Sequence, residues 1–199
     1  MMKNQLGLEF SQMLFTASLG QNLQNLTSLN LSENPIHDQG AILIYQCMNY
    51  TPNLTDLNMS QCNLTIQSFE PFLKCLELLT HLKNTDLSRN DFSESSYSQN
   101  LQQFFRFLQT STFSLNLSDC KLNEYSSNTI SLFIEGNTRM KQLILQNNKE
   151  LGESGLWIII MSMFQNDVLK ELDLRQSISI ELLQQYQGLD DKRITVDKI

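Results

Sequence analysis

Residues 54–64 read LTDLNMSQCNL, and the same arrangement of apolar and turn-forming residues occurs six times in the chain. The arrangement follows the frame LxxLxLxxNxL, in which the ninth position holds Asn, Cys or Ser. The copies begin at Leu26, Leu54, Leu82, Thr112, Met140 and Leu169. The intervals between these residues are 28, 28, 30, 28 and 29, a regularity that chance placement of leucines would not produce. The sequence therefore predicts a repeat protein.

Each copy is predicted to form one short strand followed by a helix. The Leu-x-Leu segment forms a strand of a parallel sheet with its leucines pointing inward, and the turn residue then bonds to backbone groups that the sheet leaves unpaired. The second half of each copy, such as 41–48 or 69–76, is apolar enough for an outer helix. Because only the next copy can cover the apolar face of the one before, the predicted fold class is α/β. It is a leucine-rich-repeat horseshoe, or solenoid, with a parallel concave sheet and convex helices.

The residue at the turn position alternates along the chain. The residues are Asn34, Cys62, Asn90, Cys120, Asn148 and Ser177. Together with the period of 28 to 30 residues, this alternation resembles the ribonuclease-inhibitor type of leucine-rich repeat, a cytosolic horseshoe of alternating Asn and Cys units. We interpret these six residues as a structural ladder of turns.

One repeat also resembles a more specific family. Residues 79–93 read LTHLKNTDLSRNDFS and are followed by LQQFF at 101–105. These strings are similar to the leucine-rich-repeat domain of the CARMIL family of actin-capping-protein regulators. In that family the segments that engage capping protein lie in a tail beyond the repeats, and nothing in this chain corresponds to that tail or to the membrane-binding head. The resemblance implies an actin-related context for the horseshoe alone.

The repeat boundaries divide the chain into three parts. Residues 1–25 are predicted to be an amino-terminal helical cap or a truncated repeat, with Leu8, Phe10 and Leu14 on its apolar side. Residues 26–179 form the six leucine-rich repeats. Residues 180–199 are predicted to be a carboxyl-terminal cap, with a helix over 180–186 and an edge strand over 193–199. Thr85 and Thr112 replace frame leucines, so we expect looser strands in the third and fourth repeats.

Composition limits the classes of function. The chain has 199 residues, of which 41% are hydrophobic and 18% charged, as expected for a globular domain. Twenty-one acidic residues against 14 basic ones give a net charge of -7, which disfavours nucleic-acid binding. The most apolar run, 156–164, is too short to cross a membrane, and no secretory signal pattern is present. We predict a cytoplasmic protein without a membrane span.

No catalytic or metal-binding motif is found. His37 and His81 lie in different repeats, and neither has a Cys, Asp or Glu at metal-ligand spacing. Phosphate-binding loops and nucleophile motifs are absent from the sequence. The four cysteines fit core positions, two in turns and two on inward helix faces. They are Cys47, Cys62, Cys75 and Cys120. The sequence therefore predicts no enzyme, no catalytic residue, no metal and no cofactor.

The outward side of the predicted sheet is the candidate binding surface. Alternate strand residues point to opposite faces, so the residue between two inward leucines faces outward. These residues are Asn30, Asn58, Asp86, Asn116, Ile144 and Asp173, and we add Ser32, Arg89 and Arg175 beside them. Short polar side chains suit a protein surface better than a small apolar ligand. A solvated strand position explains any single residue equally well, but solenoids use such a face as a whole for binding.

Two functions are consistent with these observations. The first is a non-enzymatic protein–protein interaction module that binds an unidentified protein partner, with actin regulation as its context. The second is a structural subunit of a large assembly such as a ciliary axoneme complex. The Gln- and Asn-rich composition is typical of an AT-rich protist genome, and leucine-rich proteins of this type also occur in ciliary axoneme assemblies. A chain that is monomeric and soluble alone favours the module, whereas a chain stable only with neighbours favours the subunit.

Overall fold

The structure, a computed structural model, describes residues 6–18, 23–76, 79–93, 102, 113–178 and 191–197. In these ranges the helices are α1 (Leu8–Ser18), α2 (His37–Met48), α3 (Phe69–Leu76), α4 (Glu124–Gly136) and α5 (Gly152–Met163). The strands are β1 (Ser28–Asn30), β2 (Asp56–Asn58), β3 (Asn84–Asp86), β4 (Ser114–Asn116), β5 (Gln142–Ile144), β6 (Glu171–Asp173) and β7 (Ile194–Thr195). Short 3-10 turns at Ile66–Ser68 and Lys149–Leu151 lead into α3 and α5.

The seven strands form one parallel sheet in chain order, β1 to β7. The repeat period sets the register, because each strand residue pairs with the residue one repeat later. Leu57 lies beside Leu29 and Thr85, and Leu143 lies beside Leu115. The prediction of an α/β fold with a parallel sheet and helices is confirmed.

The core lies between the sheet and the helices. The frame residues Leu57, Leu115 and Leu143 are buried, whereas Leu29 in the first strand is only partly buried. On the helix side, the rings of Tyr45 and Phe72 stack with centroids 4.7 Å apart. Each fully buried side chain of this size contributes about 1.5–3 kcal/mol. Apolar burial repeated in every unit is therefore the main source of stability.

The amino-terminal segment takes the place of a preceding repeat. The backbone N–H of Leu6 donates to Oδ1 of Asn34, at 3.3 Å, and the two residues are 28 positions apart. The N–H of Cys62 bonds to Asn90 at the same separation. Helix α1 packs closely on α2, since a Cβ on Gly40 would lie 2.9 Å from Oγ of Ser11. The first complete repeat therefore has an apolar and hydrogen-bonding neighbour on both sides.

At the other end, β7 pairs with β6 and Arg193 lies beneath the end of α5. The Arg193 guanidinium donates to the carbonyl of Met163 at 2.7 Å and to the carboxylate of Asp191 at 2.6 Å. A cation at a helix carboxyl terminus is stabilising because the last carbonyls there lack helical partners.

Several predicted segments lie outside the described residues. One is the closing helix at 180–186. Another is the apolar second half of the third repeat at 101–108, of which only Gln102 is described. The others are Thr112 and the cap residues 1–5, 19–22 and 198–199. Within the described ranges, no helix has both the length and the apolar character needed to cross a membrane.

Candidate protein-binding surface

Buried side chains at the turn position connect each repeat to the one before it. Oδ1 of Asn90 accepts from the backbone N–H groups of Cys62 and Leu64, both at 3.0 Å. Its Nδ2 donates to the carbonyls of Met59 at 2.9 Å and Leu87 at 2.8 Å. One amide thus satisfies four backbone groups from two repeats.

The cysteines of this ladder make fewer bonds. The thiol of Cys62 donates to the carbonyl of Leu31 at 3.2 Å, and that of Cys120 to the carbonyl of Leu87 at 3.4 Å. Burial raises the pKa of Cys62 to about 11 and that of Cys120 to about 12. Both groups are therefore neutral thiols at physiological pH, which are poor nucleophiles and poor metal ligands.

The ladder extends to the last repeat. Asn148 accepts from the N–H of Cys120 at 2.9 Å and donates its amide to the carbonyl of Leu117 at 2.9 Å. Ser177 donates to the carbonyl of Leu145 at 2.7 Å and accepts from the N–H of Asn148 at 2.8 Å. The structure thus brings Asn34, Cys62, Asn90, Cys120, Asn148 and Ser177 into one row of turn contacts.

The outward asparagines on the strands are bonded to their own turns. Oδ1 of each accepts from both the N–H and the hydroxyl of the serine two residues later, at 2.7–3.0 Å. The pairs are Asn30 with Ser32, Asn58 with Ser60, and Asn116 with Ser118. This local bonding is typical of Asn followed by a turn. The amide carbonyls are thus occupied, and the Asn-x-Ser spacing in the sequence was a signal for it.

Neighbouring strands are also joined across the outward face. Nδ2 of Asn84 donates to Asp56 at 2.6 Å, linking β3 to β2. Ser114 donates to Gln142 at 2.6 Å, and Gln142 in turn donates to Glu171 at 2.9 Å. The bond from Asn84 lowers the pKa of Asp56, so this carboxylate is charged at neutral pH. These contacts hold the polar side chains in fixed orientations.

Asp173 and Ser32, which were predicted on the outward binding surface, are both buried in the structure. The Asp173 side chain is 2% exposed, because Arg175 bonds its carboxylate at 2.6 Å and Gln146 bonds the same oxygen at 2.6 Å. Burial raises the pKa of Asp173, but the bonds from Arg175 and Gln146 outweigh it and the pKa is lowered. Ser32 is 6% exposed, with its hydroxyl bonded to Asn30.

The remaining predicted residues form an accessible strip along the sheet. Asn30 is exposed, and Asn58, Asp86, Asn116 and Ile144 are half-buried. Arg89 and Arg175 are exposed beside them. We call the strip formed by Asn30, Asn58, Asp86, Asn116 and Ile144 the strand row. It offers amide groups, one carboxylate and one aliphatic side chain.

Apart from Arg89, sequence reasoning did not find the residues that precede each turn position. They share a left-handed backbone, with φ between 53° and 61°. They are Glu33, Gln61, Arg89, Asp119, Asn147 and Gln176. Their regular spacing was visible in the sequence, but none is the glycine that usually marks such a backbone. Because they lie at the rim of the sheet, they add polar and charged groups next to the strand row.

The chemistry available to this face is hydrogen bonding and charge. In the parts of the chain that the structure describes, no three His, Cys, Asp or Glu side chains come together as metal ligands would. The carboxylates of Asp56 and Asp173 are occupied by bonds from neighbouring side chains. The arrangement can contact a polar macromolecular surface at many points.

Comparison with known proteins identifies the fold. The structure is similar to the tropomodulin C-terminal domain from Caenorhabditis elegans, with a TM-score of 0.60 and 8% sequence identity. The match covers 78% of this chain and 92% of that chain. At this identity the likeness shows a leucine-rich-repeat fold and nothing about function. No protein-family model matches the sequence, and no curated protein is significantly similar to it.

Proposed function

We propose that this chain is a non-enzymatic module that binds a protein partner through the strand row. The proposal is supported above all by one observation: polar side chains of the strand row and of the strand positions beside it recur on the outward face of β1 to β6, and hydrogen bonds within that face hold several of them. Side chains already fixed in the free protein lose little freedom on binding, which favours affinity.

The proposal includes a curved, ribonuclease-inhibitor-type horseshoe built from repeats at 26–179 between two caps. Packed helices stand about 8–10 Å apart, whereas paired strands stand about 4.8 Å apart. A stack of strand–helix units with these two spacings bends toward its strands. The strand row would then line the concave side, where a partner can contact several repeats at once.

A binding function without catalysis fits the titrating groups of the described residues. The two turn thiols are buried and protonated, and their burial is explained by the ladder. The lowered pKa values of Asp56 and Asp173 keep these groups as carboxylates bonded to neighbours. Neither set provides a general acid or base near physiological pH.

Matched charge substitutions test the proposal. The variant Asp86→Lys/Asn116→Lys changes the strand row, and Asn128→Lys/Glu135→Lys changes the exposed outer side of α4 by the same charge. We expect the first variant to lose the partner recovered by affinity capture from cell extract and the second to retain it. Melting temperatures of both variants are compared with that of the unsubstituted chain. Retention of the partner by a folded strand-row variant would contradict the proposal.

We place this module in the cytoplasm, in the context of the actin cytoskeleton. The support is the resemblance of residues 79–93 to the CARMIL repeats. A photo-crosslinking residue in place of Ile144, in the strand row, should then attach to actin or to an actin-binding protein in extract. Attachment only to proteins without any connection to actin would contradict this context and leave the binding module intact.

A second function, a structural subunit of a larger assembly such as an axonemal complex, is favoured by a different observation. The outer sides of α4 and α5 expose apolar side chains, with Leu132 61% and Met161 38% exposed. Exposed apolar surface of this kind is commonly covered by a permanent neighbour. Light scattering of the purified chain separates the two functions, because a stable monomer favours the module and self-association or insolubility favours the subunit.

A further inference from the structure

We propose that a second surface of this protein, the edge of the sheet where strands β3 to β6 begin, binds a short acidic segment of a partner protein. The surface consists of the residue that precedes each strand. These residues are Lys83, Phe113, Lys141 and Lys170, all exposed, and we call them the basic edge. The basic edge is separate from the strand row, so this inference does not depend on the function proposed above.

Backbone bonds align the four residues on consecutive strands. The N–H of Phe113 donates to the carbonyl of Lys83 at 2.9 Å, and the N–H of Lys141 donates to that of Phe113 at 2.8 Å. In the same way, the N–H of Lys170 donates to the carbonyl of Lys141 at 2.8 Å. Adjacent strands are about 4.8 Å apart, so the basic edge extends for about 14 Å. An extended peptide covers that length with four or five residues, since it rises about 3.3 Å per residue.

An aromatic ring lies within this row of cations. Phe113 is 38% exposed, and the guanidinium carbon of the exposed Arg139 lies 5.7 Å from the centre of its ring. A cation over an aromatic face is attracted to it, so Arg139 fixes the ring and adds a fourth positive charge. Exposed aromatic and arginine side chains are the types that most often anchor protein partners.

The lysines have charge available for a ligand. Lys170 donates one bond to the carbonyl of Asp167, at 2.5 Å, and an ammonium group has two further donors. The basic edge and Arg139 together thus concentrate four of the 14 basic residues of a chain whose net charge is -7. A negatively charged ligand is attracted locally even though the whole molecule repels it, because salt screens charges beyond about 8 Å.

The neighbouring carboxylates favour a peptide over other polyanions. Asp56 is close enough to Lys83 for that charge to lower the Asp56 pKa, and Glu171 directly follows Lys170 in the chain. The positive strip is therefore about one residue wide. A short peptide can align its carboxylates along such a strip and place one apolar side chain on Phe113. A nucleic-acid strand or a bilayer would extend its charge over the adjacent carboxylates, where it is repelled.

Fluorescence anisotropy with two peptides tests the inference. The probe is a fluorescein-labelled 12-residue peptide with Glu-Glu-Leu-Glu-Glu at its centre and Gly-Ser flanks, and the reference peptide has Gln in place of every Glu. We expect the full chain to bind the acidic peptide at least about tenfold more tightly than the neutral one. We also expect the affinity for the acidic peptide to fall as salt is raised from about 50 to 300 mM.

Variants with equal charge locate the site. Lys83→Glu/Lys141→Glu/Lys170→Glu should weaken acidic-peptide binding by about tenfold or more, and the milder set with Gln should weaken it in the same direction. Phe113→Ala should weaken it severalfold. The control Lys74→Glu/Lys149→Glu/Asn128→Asp/Gln165→Glu changes exposed residues elsewhere by the same total charge and should leave the affinity within about twofold. Circular dichroism verifies that each variant is folded.

Four results would overturn the inference. The first is failure of the unsubstituted chain to distinguish the acidic from the neutral peptide. The second is equal loss of binding in the control set, which would mean that only overall charge matters. The third is unchanged binding in Phe113→Ala. The fourth is tighter binding to a 12-nucleotide oligo-dT or to vesicles containing phosphatidylserine, which would assign the basic edge to another class of partner.

Discussion

Residues with a left-handed backbone precede each turn of the ladder, and their side chains are polar rather than absent. Gln61 has φ of 53° and Arg89 has φ of 58°. For residues other than glycine this backbone costs about 1–2 kcal/mol. The cost is offset by a bond to the next repeat, because the N–H of Gln61 donates to the carbonyl of Ser88 at 2.8 Å and that of Arg89 to Ser118 at 2.8 Å. Stacking of repeats therefore permits charged side chains at the rim of the sheet.

Thr85 departs from the repeat frame, and substituting it tests how much a buried hydroxyl without a hydrogen-bond partner lowers the free energy of unfolding. It replaces a leucine in β3, its side chain is 3% exposed, and its hydroxyl has no hydrogen-bond partner. Thr85→Val keeps the shape and removes the unpaired hydroxyl, so we expect unfolding free energy to rise by about 1 kcal/mol. Urea denaturation measures the change.

Thr51→Val is the matched control for this substitution. Thr51 is 1% exposed, but its hydroxyl donates to the carbonyl of Met48 at 2.9 Å. We expect this variant to lose about 1 kcal/mol, because a satisfied hydroxyl is removed. Equal effects of the two substitutions would show that the hydroxyl of Thr85 has a partner after all.

At the scale of elements, the turns after the strands contribute more to the stability of the fold than their short length suggests. Asn90 connects the turn after β3 to the turn after β2 through four bonds to buried backbone groups. Asn90→Ala leaves the N–H groups of Cys62 and Leu64 and the carbonyl of Met59 without this partner, and we expect a loss of about 3 kcal/mol in unfolding free energy. Asn58→Ala is the control: its Oδ1 bonds only within its own turn, and water can replace those bonds, so the loss should be about 1 kcal/mol. Chemical denaturation with equal losses for both variants would contradict a role for Asn90 in joining repeats.

The strands and the parallel sheet could be predicted because one pattern recurs in the same phase. Leu57, Leu115 and Leu143 each follow the start of their repeat by three residues, so a single period fixes their register. A departure from the frame, such as Thr85, can also be recognised in the sequence. The unpaired hydroxyl of Thr85 could not be predicted, because the frame specifies which side chains are buried and not which polar partners they find.

Contacts that depend on side-chain conformation could not be predicted in this way. The carboxylate of Asp173 is buried and bonded to Arg175 and Gln146, although its place in the frame is the same as that of Asn58. Arg193 reaches the end of a helix 30 residues earlier in the chain. The local period carries no information on either contact. The strand row itself stays a prediction as a binding site.

At the scale of the whole molecule, charge is arranged so that acidic groups connect separate repeats. Hydrogen bonds lower the pKa of Asp56, of Asp91 and of Asp191, through Asn84, Lys121 and Arg193 respectively. Each of the first two bonds joins neighbouring repeats, and the third secures the segment that carries β7. Because a repeat stack depends on the contacts between its units, protonation of these groups weakens the particular contacts in which they take part.

The sign of the pH dependence follows from these lowered values. Below the usual Asp pKa of 3.8, the unfolded chain binds protons that the folded chain still excludes. The stabilisation by Asp173 is therefore fully present above that pH and is lost as pH falls through the lower folded-state value. We expect the urea midpoint to change little between about pH 7 and 5 and to fall steeply below about pH 4. Asp173→Asn should be less stable at neutral pH, with a shallower fall in acid.

Glu70→Gln, which removes an exposed surface pair with Lys74, should keep the unsubstituted profile. An equally steep fall in Asp173→Asn would mean that acid unfolding is controlled by other groups.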